Sequence, residues 1–366
     1  MKVVVKIGTA SLTNEETGFP KPEILGEISE AFSYMIKKGI KPVLVTSGAI
    51  GLGLKPLGFK KRPKTITLKQ AAAAVGQGLL MHIYSQFFSL LDIKIAQILL
   101  TREDIINRER YINAQKTFET LLQKGIVPIV NENDVVAVEE IKFGDNDTLS
   151  AIVSTIIDAD MLIILTTTDG VYTKDPTVHK DAKRIKAVKE LTKELLSYVT
   201  KTKTTLGVGG METKIKAAEI ATNVGVKVII GSGKNPYKTI VGAIEGEDVG
   251  TLFFPKKKHL DSRKRWILYG LTPKGEIIID EGAKEAIKDK GKSLLAAGIV
   301  DVKGNFMAGE TVKVIDRKGK FIGQGIVRYS SGVLKTIKGK KTKEIERILG
   351  FLPFEEVIHR DDLSII

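Results

Sequence analysis

The feature that most constrains the fold is a regular alternation of short apolar runs with longer helical patterns, which continues to about residue 250. Short apolar runs bounded by turn residues predict buried strands, here at 2–7, 41–46, 93–100, 125–132, 161–166 and 226–231. Helical patterns fill the intervals, at 21–39, 66–91, 111–124, 146–157 and 210–224. This alternation predicts an α/β fold with a mostly parallel sheet covered on both faces. Ligands of such sheets bind at the carboxyl ends of the strands, so functional residues are expected just after each strand.

The pattern changes at the basic stretch 255–265, which begins with a proline. Beyond it, short apolar runs, 266–270 among them, are separated by Gly turns and predict strands of a small β-rich domain. We therefore predict a first domain at 1–255, a linker at 256–272 and a second domain at 273–366. From residue 256 onward, 24 basic residues face 15 acidic ones, a net of +9 out of +14 for the whole chain. This excess favours either a module that binds polyanions or a solvated surface.

Composition narrows the classes of function. None of the 366 residues is a cysteine, which excludes disulfides, thiolate metal sites and cysteine nucleophiles. No apolar run reaches the roughly 18 residues that a membrane span needs. Met1 leads straight into a predicted strand, without the pattern of a signal peptide. We expect a cytoplasmic protein that does not engage a membrane.

Polar residues that could meet an anion follow the first two predicted strands. Lys6 lies at the end of the first strand beside Gly8, and a lysine next to a Gly turn can meet a phosphate with an ammonium group and backbone N–H groups together. Ser47 and Gly48 lie at the next strand–helix junction, where Gly allows close approach and the helix N-terminus offers N–H donors. A surface lysine beside a turn and an ordinary tight turn remain the alternatives.

Three later segments have the same placement after a strand or before a helix. The run from Asn131 to Asp134 could hold the ammonium and carboxylate groups of an amino acid, or be a polar loop. The segment from Thr166 to Asp169 could line a loop beside an adenine or a ribose, or be a plain turn. The Gly-rich stretch that leads to Lys214 has the outline of a nucleotide-phosphate cradle, although a flexible loop has the same composition.

The densest polar stretch is "EEIKFGDNDTLSA", from Glu139 to Ala151. Asp145, Asn146 and Asp147 precede an apolar helix, and each is a good N-cap residue whose position also suits the helix dipole. Helix capping is therefore the simpler interpretation. Taken alone, the stretch does not distinguish capping from a role in binding or catalysis.

Taken jointly, these segments resemble the glutamate 5-kinase family of the amino acid kinase superfamily. The resemblance extends from the first strand to residue 362, in order and spacing. The motifs that carry it include "VVVKIGTASLT", "VTSGAIGLG", "QAAAAVGQGLL", "IVPIVNENDVVA", "IKFGDNDTLSA", "GVGGMETKIKAA" and "HRDD". It implies a three-layer sandwich with a mostly parallel central sheet, followed by a small β-rich PUA domain. The implied activity is transfer of the γ-phosphoryl group of ATP to the side-chain carboxylate of L-glutamate, the first step of proline biosynthesis.

The resemblance also implies roles for particular residues. Lys6 and Lys214 match the lysines that contact the transferring phosphoryl group, and Asp147 matches the carboxylate that positions them. The glutamate-binding positions fall on Ser47, Gly48, Asp134 and Asn146. The ATP-binding positions fall on Lys6, Thr166, Thr167, Asp169, Val208, Gly209, Gly210, Met211, Glu212, Thr213 and Lys214. The chain departs from the family where Thr167 replaces an Asp, and Asp169 is expected to compensate.

These roles fit the demands of phosphoryl transfer, which needs in-line positioning and neutralisation of charge on the transferring oxygens. Two lysines and Mg²⁺, whose ligands are not predicted, would supply the positive charge. Two ammonium groups about 4 Å apart repel by about 4 kcal/mol at an effective dielectric constant near 20, so a carboxylate between them is useful. A carboxylate acceptor is already ionised near neutral pH, so no general base is required.

Two expectations rest on the resemblance alone: inhibition by proline, and a homo-oligomer (dimer or tetramer) formed through the kinase domain. The alternatives are a PUA-type RNA-binding protein with a vestigial kinase domain, or another enzyme of the same fold. RNA binding would show a salt-dependent affinity. No aromatic platform for stacking bases is visible, since Trp266 is the single tryptophan of the chain.

Overall fold

The computed structural model describes residues 1–14, 18–59, 61–136, 145–192, 210–256, 261–351 and 353–366. It contains two compact units, Met1–Lys258 and His259–Ile366. The boundaries proposed from the sequence, 1–255, 256–272 and 273–366, stay a prediction.

The first unit is built on one mixed sheet. Its strands are β1 (Lys2–Ile7), β2 (Lys41–Val45), β3 (Ile95–Leu100), β4 (Val127–Glu132), β5 (Met161–Thr166), β6 (Ala187–Val188), β7 (Lys227–Ser232) and β8 (Gly250–Phe253). Within the described residues their order is β3-β4-β2-β1-β5-β7-β8-β6. The six strands from β3 to β7 in this order are parallel, whereas β8 runs antiparallel to β7. The six strands predicted from the sequence are therefore confirmed, and they bring their carboxyl ends to one edge.

Helices cover both faces of this sheet. They are α1 (Thr9–Leu12), α2 (Pro22–Lys37), α3 (Ala49–Leu54), α4 (Ile66–Ser89), α5 (Arg102–Ile106), α6 (Arg108–Gln123), α7 (Asn146–Ile156), α8 (Met211–Asn223) and α9 (Pro236–Glu245). One hydrophobic core joins α2, α4 and α9 to the side chains of β1 that face them. On the other face α7 packs on β1 and against α8. Among the described residues no helix has the length and hydropathy required to cross a membrane.

The second unit contains a five-stranded sheet in the order β11-β9-β12-β13-β15 and a pair, β10-β14. The strands are β9 (Gly275–Ile279), β10 (Leu294–Leu295), β11 (Ile299–Gly304), β12 (Thr311–Asp316), β13 (Phe321–Ile326), β14 (Glu356–Ile358) and β15 (Leu363–Ile365). The helices are α10 (Ser262–Arg265), α11 (Glu281–Lys288), α12 (Ser331–Ile337) and α13 (Thr342–Leu349). Their apolar side chains form a separate core, as the predicted β-rich domain requires.

One predicted strand of this unit is wrong. The run "WILYG" forms a π-helical turn, Trp266–Gly270, that continues α10. A short apolar run is compatible with a buried strand or a buried helical turn, and periodicity does not separate them. Here Gln324 Nε2 donates to the carbonyl oxygens of Ile267 and Leu271, at 2.7 and 2.9 Å, and so satisfies backbone groups that a strand would have paired in a sheet.

Two glycines allow α3 and α4 to cross in close contact, and α3 in turn begins beside Ser47 and Gly48. A Cβ atom on Gly76 would lie 1.7 Å from the carbonyl oxygen of Ala49, and one on Gly53 would lie 1.8 Å from that of Ala72. Both obstacles are backbone atoms, which a side-chain rotation does not move. The two helices can hold this separation only with Gly at both positions.

We expect Gly76→Ala to lower the free energy of unfolding by about 2 to 3 kcal/mol, because the added methyl group forces the helices apart. Urea unfolding of the full chain, followed by circular dichroism, measures the change. Gly78→Ala is the matched control, since Gly78 lies exposed in the same helix and a Cβ atom added there would have no atom within 4 Å. Helix propensity predicts that this control is stabilised by about 0.5 to 1 kcal/mol. Equal effects of both substitutions would contradict the packing argument.

Candidate active site

Lys6 lies near the carboxyl end of β1, in the centre of the sheet. Val3, Val5 and Ile7 point into the core shared with α2 and α4. Because side chains alternate along a strand, Lys6 points to the opposite face, towards α7. The residue is only 5% exposed. A buried ammonium group needs an opposite charge in contact with it.

Asp145 caps the helix that supplies this charge. Asp145 is the N-cap residue of α7, and its carboxylate accepts a hydrogen bond of 2.8 Å from the backbone N–H of Thr148. The capping interpretation of the acidic stretch is therefore correct for Asp145. Asp147 lies in the first helical turn and has another role.

The Asp147 carboxylate is shared by two lysines from distant parts of the chain. Lys6 Nζ lies 2.5 Å from Asp147 Oδ1, and Lys214 Nζ lies 3.0 Å from Asp147 Oδ2. Thr213 Oγ1 lies 2.7 Å from the same Oδ2 atom. Asp147 is fully buried, and Lys214 is 7% exposed. The structure thus brings together the three residues proposed as catalytic, with one negative charge between two positive ones.

The pKa values follow from this arrangement. Burial by itself would raise the pKa of Asp147, but the ammonium groups of Lys6 and Lys214 outweigh it and hold this pKa below its usual value. Burial lowers the pKa of Lys6, and the nearby Lys214 lowers it further, against the opposing effect of Asp147. Burial raises the pKa of Asp145, despite the hydrogen bond from Thr148.

The start of α8 carries Lys214 and several predicted ATP-binding residues. Gly210 is the N-cap residue, Met211 and Thr213 are half-buried, and Glu212 is exposed. The first backbone N–H groups of a helix have no partner within it, and with the helix dipole they favour an anion. Val208 and Gly209, also predicted to bind ATP, lie outside the described residues.

A second polar cluster surrounds the half-buried Asn146, which precedes Asp147 in the sequence. Asn146 Nδ2 donates to the backbone oxygen of Thr46 at 2.5 Å, to Ser47 Oγ at 2.9 Å and to Asn131 Oδ1 at 2.8 Å. Gly48 follows Ser47 with φ of 111°, a left-handed conformation that favours glycine, and caps α3. Of the predicted glutamate-binding residues, the structure thus joins Ser47, Gly48 and Asn146.

Asp134 is the remaining residue of that predicted set. It is half-buried in the turn after β4. Its neighbours Asn133 and Val136 line a cavity of about 360 Å³ together with residues that begin α5 and α6, among them Arg102 and Arg110. The position of Asp134 relative to a bound amino acid stays a prediction.

The loop after β5 carries three of the predicted ATP-binding residues. Thr166 ends the strand and is buried, whereas Thr167 and Asp169 are exposed. Tyr172 donates its hydroxyl to Asp169 Oδ1 at 2.6 Å, and Arg184 Nε lies 3.9 Å from Oδ2. The role of Asp169 in place of the family's Asp stays a prediction.

Over the described ranges no group of three or more His, Asp or Glu side chains has the spacing of a metal site. Both oxygens of Asp147 lie beside lysines. The use of Mg²⁺ stays a prediction.

Some contacts are not predicted from the sequence. The sequence assigns Thr213 to ATP and not to Asp147, and it offers Asn131 as part of a run that could hold an amino acid, without predicting its contact with Asn146. Gln77 is missed, although it donates to Gln97 Oε1 at 3.4 Å and accepts from Asn131 Nδ2 at 2.9 Å. The available signal is an amide on the face of this largely apolar helix that also carries Tyr84.

Comparison with known proteins agrees with this fold. The model of the amino acid kinase family matches residues 1–232, and the PUA domain model matches residues 275–349. The carbamate kinase from Giardia lamblia bound to AMP-PNP has the same fold, with a TM-score of 0.51 and 19% identity over 70% of this chain and 98% of that chain. The protein is thus a kinase of the amino acid kinase class with an appended PUA domain.

Curated relatives define the family more closely. The glutamate 5-kinase of Synechococcus sp. (strain JA-2-3B'a(2-13)) is 47% identical over 364 residues, which cover 100% of this chain and 98% of the relative. The glutamate 5-kinase of Thermoanaerobacter sp. (strain X514) is 48% identical over 367 residues, with the same coverage. The chain belongs to the glutamate 5-kinase family, as its motifs indicated.

We expect Asp147→Asn to lower the free energy of unfolding by about 3 to 5 kcal/mol at pH 7, because it leaves two buried ammonium groups without a counter-charge. A carboxyl group whose pKa is lowered by folding stabilises the protein above its unfolded pKa, and this contribution is lost as pH falls through the folded pKa. The difference in the free energy of unfolding between wild type and variant should therefore be constant from pH 8 to pH 5 and become smaller only below about pH 4. Urea unfolding at each pH measures it.

Asp181→Asn serves as the control for this prediction. Asp181 pairs with Lys174 at 2.5 Å, but both side chains are exposed. Exposed pairs contribute little, so this variant should unfold almost as the wild type does. An Asp147→Asn variant as stable as the control would contradict the proposed electrostatics.

Proposed function

We propose that this protein transfers the γ-phosphoryl group of ATP to the side-chain carboxylate of L-glutamate, giving L-glutamyl 5-phosphate and ADP. The observation that carries the proposal is the Asp147 carboxylate shared by Lys6 and Lys214 at the carboxyl edge of the parallel sheet. The relatives at 47% and 48% identity are named glutamate 5-kinases, and their similarity covers the whole chain.

In this mechanism the two lysines stabilise negative charge on the transferring phosphoryl group. Asp147 holds them close together and offsets their repulsion before the nucleotide binds. The acceptor carboxylate attacks phosphorus while the bond to the ADP oxygen breaks, and no proton has to be removed from the nucleophile. This explains why the proposed site contains no general base.

ATP would bind at the start of α8 and along the loop after β5. Backbone N–H groups at the start of α8 face the phosphates, and the proposed contacts from the loop come from Thr166 and Thr167. ATP enters as its Mg²⁺ complex in this proposal, because Mg²⁺ is commonly held by substrate phosphates and water when the protein offers few ligands.

Glutamate would bind beside Asn146, with Ser47, Gly48 and Asp134 as the other proposed contacts. Ser47 and Asn146 already contact each other at 2.9 Å, and Asn146 directly precedes Asp147 in α7. Amide and hydroxyl groups hold a dicarboxylate without the repulsion that further acidic side chains would add. Asp134 supplies a single negative charge for the substrate ammonium group.

The family resemblance also supports three properties that the geometry of the site does not carry. These are a cytoplasmic location, inhibition by proline and assembly into homo-oligomers. The second unit is basic, which keeps RNA binding open as a secondary role of the PUA domain. The intact set of Lys6, Lys214 and Asp147 favours an active kinase over a vestigial one.

The proposal predicts ADP release that depends on both L-glutamate and Mg²⁺. A coupled assay should compare glutamate with aspartate, carbamate and UMP, with and without proline. Lys214→Met should lower kcat at least about 100-fold, because it removes one of two cations at the transferring group. Lys216→Met, an exposed position in the same helix, should leave kcat unchanged. Turnover of another acceptor but not of glutamate would refute the assignment of substrate.

A second variant tests the glutamate site. Asp134→Ala should raise KM for glutamate by about tenfold or more, while KM for ATP stays within about twofold, since one charged contact is worth roughly 1.4 kcal/mol or more. Initial rates with each substrate varied in turn measure both constants. An unchanged KM for glutamate would remove Asp134 from the proposed site.

A further inference from the structure

Two polar side chains on the long, largely apolar helix α4 face the carboxyl edge of the sheet. Gln77 and Tyr84 lie seven positions apart, which is two helical turns, so they share one face. Gln77 Oε1 accepts a hydrogen bond of 2.9 Å from Asn131 Nδ2. The hydroxyl groups of Tyr84 and Thr46 lie 2.7 Å apart. Both partners, Asn131 and Thr46, contact Asn146.

Hydrogen bonds to backbone groups show which atom of the Asn131 and Asn146 side-chain amides is the oxygen and which is the nitrogen. The N–H of Glu132 donates to Asn131 Oδ1 at 2.9 Å, and a backbone N–H has no other role than donor. The Asn131 amide must therefore present Oδ1 on that side, and its Nδ2 to Gln77. The same Oδ1 accepts from Asn146 Nδ2 at 2.8 Å.

The orientation of Asn146 follows from these contacts. The backbone oxygen of Thr46 can only accept, so the Asn146 atom beside it has to be Nδ2. With Nδ2 turned towards Thr46, Ser47 and Asn131, the oxygen of the Asn146 amide is the atom turned away from them. A rotated Asn131 amide would place a donor opposite the Asn146 donor and favour a different Asn146 orientation.

We propose that Gln77 is a positioning residue for glutamate binding: by accepting from Asn131 Nδ2, it adds to the backbone contacts that hold the Asn131 and Asn146 amides in this orientation. The inference rests on the proposed function and extends it to a residue that does not touch the substrate. Gln77 is 8% exposed and Asn131 is 3% exposed, so water does not readily replace the missing acceptor. Its other contact, to Gln97 at 3.4 Å, is longer and reaches an exposed side chain.

The test compares three substitutions in the full-length protein. Gln77→Met keeps the size of the side chain but removes the acceptor, and should raise KM for glutamate about tenfold with kcat and KM for ATP within about twofold. Gln77→Glu retains a side-chain oxygen at the same distance and should restore most of the glutamate affinity. Gln97→Met makes the same change in the side chain on the other side of Gln77, and should leave KM for glutamate unchanged.

A selective effect on KM for glutamate separates positioning from a general structural role. If Gln77→Met does not fold, Gln77→Asn, which withdraws the amide by one methylene, must still raise KM for glutamate alone. The inference is overturned if KM for glutamate and KM for ATP rise equally, or if Gln77→Glu does not restore glutamate affinity. It is also overturned if a folded variant has an unchanged KM for glutamate. If the proposed function itself is wrong, the wild-type protein will show no glutamate-dependent release of ADP, whatever the variants do.

Discussion

The contact on which the site depends is the buried carboxylate of Asp147, shared by two lysines. Lys6 comes from the central strand, Asp147 from the start of α7 and Lys214 from the start of α8. Any of these charges buried alone would destabilise the fold, and together they offset one another. The site is therefore also a structural junction between β1, α7 and α8, and the chemistry of the enzyme constrains how these elements pack.

Much of this arrangement could be predicted from the sequence, because it follows from strand periodicity and the position of each polar residue after a strand. The six parallel strands agree with the predicted runs within two or so residues, and the edge at which Lys6, Ser47 and Asn131 meet follows from their direction. The assignment of Lys6, Asp147 and Lys214 to one cluster came from family resemblance. Nothing in local spacing relates Lys6 to Lys214, since the sheet order brings them together.

The remaining features depend on contacts between distant segments. In the π-helical turn Trp266–Gly270, the carbonyl oxygen of Ile267 accepts a hydrogen bond from Gln324, far along the chain. Asp169 is held by Tyr172 and by Arg184 from the next segment. The alignment of Gln77, Asn131 and Asn146 requires α4, β4 and α7 to be in place. Patterns of period two or 3.6 identify each element but carry no information on these pairings.

The position of β1 has a consequence for how the molecule is assembled. Among the described strands β1 comes first along the chain, yet it lies inside the sheet, between β2 and β5, and its lysine pairs with a carboxylate on α7, far along the chain. A nascent chain that ends before α8 can pair Lys6 with Asp147 but lacks the second cation. On the proposed mechanism, a product that terminates before α8 lacks one of the two lysines that neutralise the phosphoryl group, and so could not transfer it.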